Sequence, residues 1–583
     1  MIYSDSITVK ECVSKYVFQV FLRTTVAAFL CLCACTNGAL NFTNTNPPFS
    51  CTGAALTNFP YAGGSGTSSS PYYICTAAQM NNIGLNPFNW SNYFRLGQSI
   101  SLSAYTGTQF NIIGNSSFYF TGVFDGQNYT ISNFTYTTAA GLNDTGLFGY
   151  VQGSSAAIRN LKLSTVNLNL SAGLPTAVGA LVGTLDGATV SNSQVQGGTV
   201  SAYSEVGGLV GSVINGATVI NCNTSATVST IGGGGGNTGG LVGYISGAGS
   251  QIQNSTSTGI VSGGGNPATG GLVGNVLNGA TISTSSSSST VSNTTGAGIG
   301  GLVGEVSAGN IFTCSASGSV TSSTGGTLVG GLIGQAVFGS SITSSSATGA
   351  VSGTGSEVGG LIGFLGGTST VANSYATGAV TNTGNYTGGL VGQLASNDAS
   401  YISQCYATGN VTTGAYAGGL VGYMSSVTGT GGISESYATG NASGSVDIGG
   451  LVGYITNGSG TIQNSFAQGT ISATVNAGGS LIGYLAGGSV HVTNCYGSGT
   501  VSGGTDLGGF VGYDPGSGVY SGNFFDGTVN AHLGDGFSGT IAGVTGASTV
   551  TMQTVATFIP GASWSNTIWN ASSVGYMRLV NPP

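Results

Sequence analysis

A chain of 583 residues in which 40% are hydrophobic and only 4% charged is not a disordered polyelectrolyte, which combines low hydrophobicity with high charge. Its formal charge is −8, and residues 163–577 contain no Lys or Arg. Phosphate backbones are bound by neutralising their charge, so nucleic acid is excluded as a partner.

At the N-terminus Lys10, Lys15 and Arg23 accompany an apolar run, Thr24–Ala34. That pattern is an export signal, and the run is too short to span a bilayer, so residues 1–34 are expected to be a signal peptide. "LCAC" at Leu32–Cys35 approximates a bacterial lipobox. Cys35 is therefore a lipidation candidate and the expected route of any membrane attachment, although a lipobox normally has a small residue other than Cys at its second position. Ordinary cleavage, for instance after Ala39, is the alternative. Residues 35–70 read as a flexible linker. Exported proteins keep disulfides, and Cys51 and Cys75 flank the Gly/Ser-rich "YAGGSGTSSSPYY" as a candidate pair.

Residues 71–170 are read as an N-terminal cap with the first coils, 171–513 as a repeat array and 514–583 as a C-terminal cap. The phrase GGLVG and its variants recur 12 times, with the first apolar residue running from Leu181 to Phe510 at spacings of 28 to 32 residues. Gly, Ser and Thr dominate, β-branched residues fill the apolar slots, and no 3.6-residue period is present. In "GGLVGYI", "TIQNSFA" and "QGTIS" around Leu451, three short apolar strokes are separated by Gly or Asn. The expected fold is all-β: a single parallel β-helix (β-solenoid) of about 12–13 coils of ~30 residues, three short strands per coil, capped at both ends. At ~4.8 Å per coil the rod is about 60 Å long.

Stacking turns sequence phase into columns. Gly belongs at corners, where φ is positive or backbones approach closely. Asn192, Asn221, Asn254, Asn373, Asn464 and Asn494 form a column suited to the left-handed conformation and to amide ladders. Cys222, Cys314, Cys405 and Cys495 share a phase with Ser193, Ser255, Ser285, Ser345, Ser374, Ser436 and Ser465. Three coils separate successive cysteines, roughly 14 Å, beyond the ~7 Å limit for a bridge, so they are read as buried thiols. If that column points inward, alternation sends the next residue outward. By the same alternation, if Leu209 points inward, Val210 and its column mates would be an exposed apolar stripe unless a bend at the Gly pair tucks both inside, the arrangement expected here.

The repeats resemble GLUG repeats, a family named for G-L-[hydrophobic]-G and found in bacterial surface proteins, including filamentous-haemagglutinin-like adhesins. The resemblance covers about residues 71–580. It includes "PYYICTAAQMNNIG" and "FTGVFDGQNYTISNFTY" ahead of the array and "GNFFDG" and "SWSNTIWNASSVGYMRL" after it. Relatives tend to carry Pro where this chain has Met577. Some relatives carry a zinc-binding HExxH protease; His491 and His532 are the two histidines here and neither lies in that motif. The resemblance implies a β-solenoid and says little about function.

No catalytic, cofactor or metal residue is expected. The acids of the array, Asp186, Glu205, Glu305, Glu357, Asp398, Glu435, Asp447 and Asp506, are spread over the coils, whereas a hard cation or an acid/base pair needs converging carboxylates. Asp125 and Asp526 read as turn formers. The informative residues are aromatic. Tyr375, Tyr406, Tyr437, Phe466 and Tyr496 occupy the outward phase in five successive coils, and Tyr423, Tyr454, Tyr484 and Tyr513 a second phase. They are either a stabilising stack or a face for a glycan or for a surface protein of a host or neighbouring cell. The functional expectation is an exported, cell-surface or secreted adhesin-like binding protein. A purely structural stalk and a polysaccharide-active β-helix enzyme are the alternatives.

Overall fold

The structure, a computed structural model, describes residues 49–580 except 140, 172–175, 232–235, 266–267, 396–398, 426, 428, 430, 560 and 571–574. The signal segment, Cys35 and Asp398 lie outside the described residues. One unit spans Ser50–Pro583.

The chain winds as a parallel β-solenoid. Val421, Val452 and Ile482 pair in register, as do Tyr423, Tyr454 and Tyr484. The leucines run in single file: the amide of Leu390 bonds the carbonyl of Leu420 at 2.9 Å, and that of Leu420 bonds Leu451 at 2.9 Å. A 13-stranded sheet from Phe148–Gln152 to Val511–Tyr513 marks the coils. A second sheet has 16 strands, because Tyr72–Ile74, Tyr93–Leu96 and Val123–Asp125 add three rungs at the N-terminal end.

From Val210 onward most coils hold five short strands where three were expected; in the two coils before that, a nine-residue strand, Lys162–Leu170 or Gln194–Ala202, takes the place of two of them. The coil at Leu451 has Val452–Thr456, Thr461–Gln463, Phe466–Ala467, Ile471–Ala473 and Ala477–Gly479. Apolar strokes undercount strands here because a backbone amide finds its partner one coil away whatever its side chain is. The cap also begins earlier than residue 71. Within the segment assigned to a linker, Ala54–Thr57 is helical, Tyr61 and Ala62 are buried, and Gln79 Nε2 donates to the carbonyls of Ala55 and Asn58.

The Gly pair provides the bend. The amides of Leu420 and Val421 both donate to the carbonyl of Leu451, at 2.9 Å each. The pairing stays one residue to one residue on either side, so each coil bends at the same place, the inside–outside alternation is interrupted there, and Leu420 and Val421 are both fully buried. A Cβ on Gly418 would lie 1.8 Å from the carbonyl oxygen of Val421, and one on Gly419 would lie 2.1 Å from that of Gly450. Neither has positive φ, so close approach is what demands glycine here.

The asparagine column has φ between 48° and 54° at all six positions. Its amides ladder where Asn follows Asn: Asn221 Nδ2 donates to Asn192 Oδ1 at 3.1 Å. Thr284 and Thr313 occupy the same column at φ 48° and 55°, a conformation costly for a β-branched residue. Thr284→Asn and Thr313→Asn are expected to stabilise the rod by about 1 kcal/mol each, read as a higher urea midpoint at unchanged slope.

The Ser/Cys column is inward and fully used. Ser436 Oγ donates to the carbonyl of Ser434 at 2.6 Å and accepts the amide of Cys405 from the preceding coil at 3.1 Å. The four array cysteines are free and buried. Burial pushes the Cys405 and Cys495 thiols up to about 12, so they stay protonated and inert.

Candidate functional site

Alternation along one strand pair sets out the first aromatic face. Ser436 points in, Tyr437 out, Ala438 in and Thr439 out. Register then stacks Tyr375, Tyr406, Tyr437, Phe466 and Tyr496. Successive ring centroids lie 4.8, 5.0, 4.8 and 5.0 Å apart, with planes within 5° of parallel. The coil pitch thus sets the ring spacing, and each contact is worth ~0.5–1.5 kcal/mol. The faces cover one another, so solvent meets ring edges and hydroxyls and not flat ring faces. Beside the rings runs a file of Thr377, Thr408 and Thr439, continued by Gln468.

The ladder ends beneath the C-terminal cap. Tyr496 is 1% exposed and Phe466 4%, in a cluster with Phe558, Trp564, Trp569 and Met577. Tyr496 Oη donates to the Met577 carbonyl at 2.7 Å and accepts Gln468 Nε2 at 2.9 Å.

The second column is joined by two tyrosines that the sequence reading missed. Tyr386 stacks on Tyr423 at 4.3 Å and Tyr416 on Tyr454 at 5.1 Å. Tyr484 stacks on Tyr513 at 4.5 Å, and Tyr513 meets Phe537 at 4.4 Å. Tyr386 and Tyr416 stand four residues before the motif leucine, the phase also held by Glu357, Asp447 and Asp506. That shared phase was the available signal.

Asp447 is 3% exposed. Burial pushes its carboxyl up to about 6, with Asp506 adding to the rise and hydrogen bonds from Asn476 and the Ala477 amide opposing it. A carboxyl whose folded value is raised contributes stability below its unfolded value near 4, and loses it as pH rises through 6. Asp447→Asn is therefore expected to stabilise at pH 7–8 by on the order of 2 kcal/mol and to leave stability at pH 4 unchanged, read from urea titrations at the two pH values.

Asp125 and Asp526 serve structure. Asp125 takes Arg159 Nε at 3.1 Å and Asn160 Nδ2 at 3.1 Å. Asp526 accepts Tyr576 Oη at 2.6 Å and Thr549 Oγ1 at 2.7 Å while its Oδ1 closes a turn onto the Thr528 amide. Cys51 and Cys75 form a disulfide with Cα atoms 5.6 Å apart. Among the described residues no three His, Cys, Asp or Glu converge as a metal site, and no helix is long and apolar enough to cross a membrane.

Residues 325–352 and 354–381 match the GLUG motif. A candidate Gly-rich membrane protein of Evansella cellulosilytica is 37% identical over 126 residues, 21% of this chain and 14% of that protein. Halomucin of Haloquadratum walsbyi is 35% identical over 157 residues, 26% of this chain and 2% of halomucin. The matches thus span a small part of either relative. The crystal structure of a candidate immunoglobulin A1 protease from Bacteroides ovatus aligns over 92% of this chain and 99% of that one, at 16% identity and a TM-score of 0.23. With two GLUG matches inside a stack whose other coils repeat the same glycine–leucine phrase in register, the chain is a GLUG-repeat β-helical protein.

Proposed function

We propose that this chain is an exported bacterial surface protein whose rod acts as an adhesin-like binding element for glycans or for a surface protein of another cell. One observation carries this reading: an outward face, running over four coils, of stacked ring edges and phenol hydroxyls flanked by a file of threonines. Hydroxyls beside apolar edges offer hydrogen bonds and dry contact together. The names of the partial relatives, a membrane protein and a halomucin, support a surface location. Attachment through a lipid on Cys35 fits that location and is tested by mass spectrometry for a diacylated Cys35. The binding reading involves no catalysis, metal or cofactor.

Face-to-face stacking favours a second reading, a structural stalk in which the rings only hold coils together. A glycan array probed with the full chain and with the Tyr406→Ala/Tyr437→Ala variant separates the two. Binding that falls at least tenfold in a variant with a preserved cooperative melt supports the adhesin. A lower melt with no glycan bound by either protein favours the stalk over a glycan-binding adhesin.

A further inference from the structure

Where the ladder passes under the cap, a groove of about 340 Å³ opens. Tyr437 and Phe466 form its aromatic floor, Thr408, Thr439 and Gln468 its polar side, and Arg578 its opposite wall. That volume is at the small end of ligand sites.

Arg578 is the only basic residue after Lys162. It is exposed on the strand Arg578–Leu579, held antiparallel to Trp569–Asn570 by the cap. The one salt bridge among the described residues joins Arg159 to Asp125, so this guanidinium has no carboxylate partner there. Gln468 gives its Nε2 to Tyr496, and its carbonyl oxygen receives no donor among the described residues. The Thr408 and Thr439 hydroxyls, likewise, have no partner among them. Burial pushes the Tyr437 hydroxyl up to about 12, Tyr406 adding to the rise and Arg578 opposing it, so the phenol remains a neutral donor.

A single planar guanidinium fits one carboxylate through two parallel hydrogen bonds, whereas phosphate-rich chains are held by several cations. The hydroxyl and amide groups opposite it suit a polyol, and the ring edges suit its C–H surface. We propose that this groove binds one uronate unit of an acidic polysaccharide, its carboxylate on Arg578 and its hydroxyls on Thr408, Thr439 and Gln468. The proposal rests on the binding-protein reading and supplies its ligand class.

The test is calorimetric titration of the full chain with a galacturonate tetrasaccharide, its methyl ester and a tetra-aspartate peptide. The acid saccharide is expected to bind, with the ester and the peptide each at least tenfold weaker. Arg578→Gln should lose at least tenfold, and Arg578→Lys should fall between, because charge survives while the fork is lost. Thr408→Val/Thr439→Val should weaken the saccharide further. All variants should keep the wild-type melting midpoint. Equal binding of acid and ester, equal binding of the peptide, or no effect of Arg578→Gln overturns the proposal. If the array shows neutral glycans bound while Arg578→Gln changes nothing, the binding reading stands and the uronate site falls. If no glycan is bound at all, the uronate site and the glycan arm of the binding reading both fall.

Discussion

Gly419→Ala is expected to cost about 3–5 kcal/mol. The new methyl carbon would lie 2.1 Å from the Gly450 carbonyl oxygen and 2.9 Å from the Ala438 Cβ. The first obstacle is backbone of the next coil, which cannot rotate aside as a side chain does. Relief requires parting the coils at the Gly pair, where the amides of Gly419, Leu420 and Val421 bond the next coil at 3.1, 2.9 and 2.9 Å. Overpacking alone costs ~1–3 kcal/mol, and each strained hydrogen bond adds about 1. Because each coil contacts mainly its neighbours, damage in a solenoid stays local. The urea transition should therefore become two steps, with new protease cleavage near residues 419–450. Thr412→Ala, on the exposed side of the same coil, should stay within about 0.5 kcal/mol of wild type. A Gly419→Ala protein that unfolds in one step within about 1 kcal/mol of wild type would mean that the coils are not in such close contact.

The same geometry explains what could be read from the sequence. In a solenoid, residues 30 apart become neighbours at one coil pitch, so a column is visible as a phase. The inward Ser/Cys file, the left-handed Asn file and the outward Tyr375–Tyr496 file all follow from that. Leu420 and Val421 needed the bend as well, which the paired glycines signal. Strand number was less legible, because Ser, Thr and Gly segments such as Ser346–Ala347 pair as well as apolar ones do. Tyr386 and Tyr416 were obscured because Glu357 and Asp447 hold their column in the coils on either side. The groove was not legible at all. Its wall, Arg578, belongs to an aperiodic segment whose place beside Tyr437 is fixed by packing among Trp564, Trp569 and Tyr496, and no period reports such contacts.

That packing makes Tyr496 the point on which cap and groove both depend. Tyr496→Ala is expected to cost about 3–5 kcal/mol and to release the cap without melting the central coils. The buried ring lies 5.0 Å from Phe466, 6.4 Å from Trp564 and 6.0 Å from both Trp569 and Tyr576. Its hydroxyl ties the last coils to the Met577 carbonyl. Truncation leaves a cavity between the ladder and the tail and an unpaired carbonyl beside it. Tyr496→Phe keeps the ring and should cost only about 1–2 kcal/mol. Protease digestion should remove residues beyond about 548 from the alanine variant and spare the rest. Solenoid ends need their caps to remain soluble, since an uncovered final coil offers unpaired strand edges. The alanine variant should therefore associate with rising concentration in sedimentation velocity, and lose the Arg578 wall together with any ligand that depends on it. Tyr375→Ala, at the far end of the same ladder, removes a ring of the same file while leaving the cap docked, and should do neither. If both variants aggregate, or neither does, the ring under the cap has no special part in holding it.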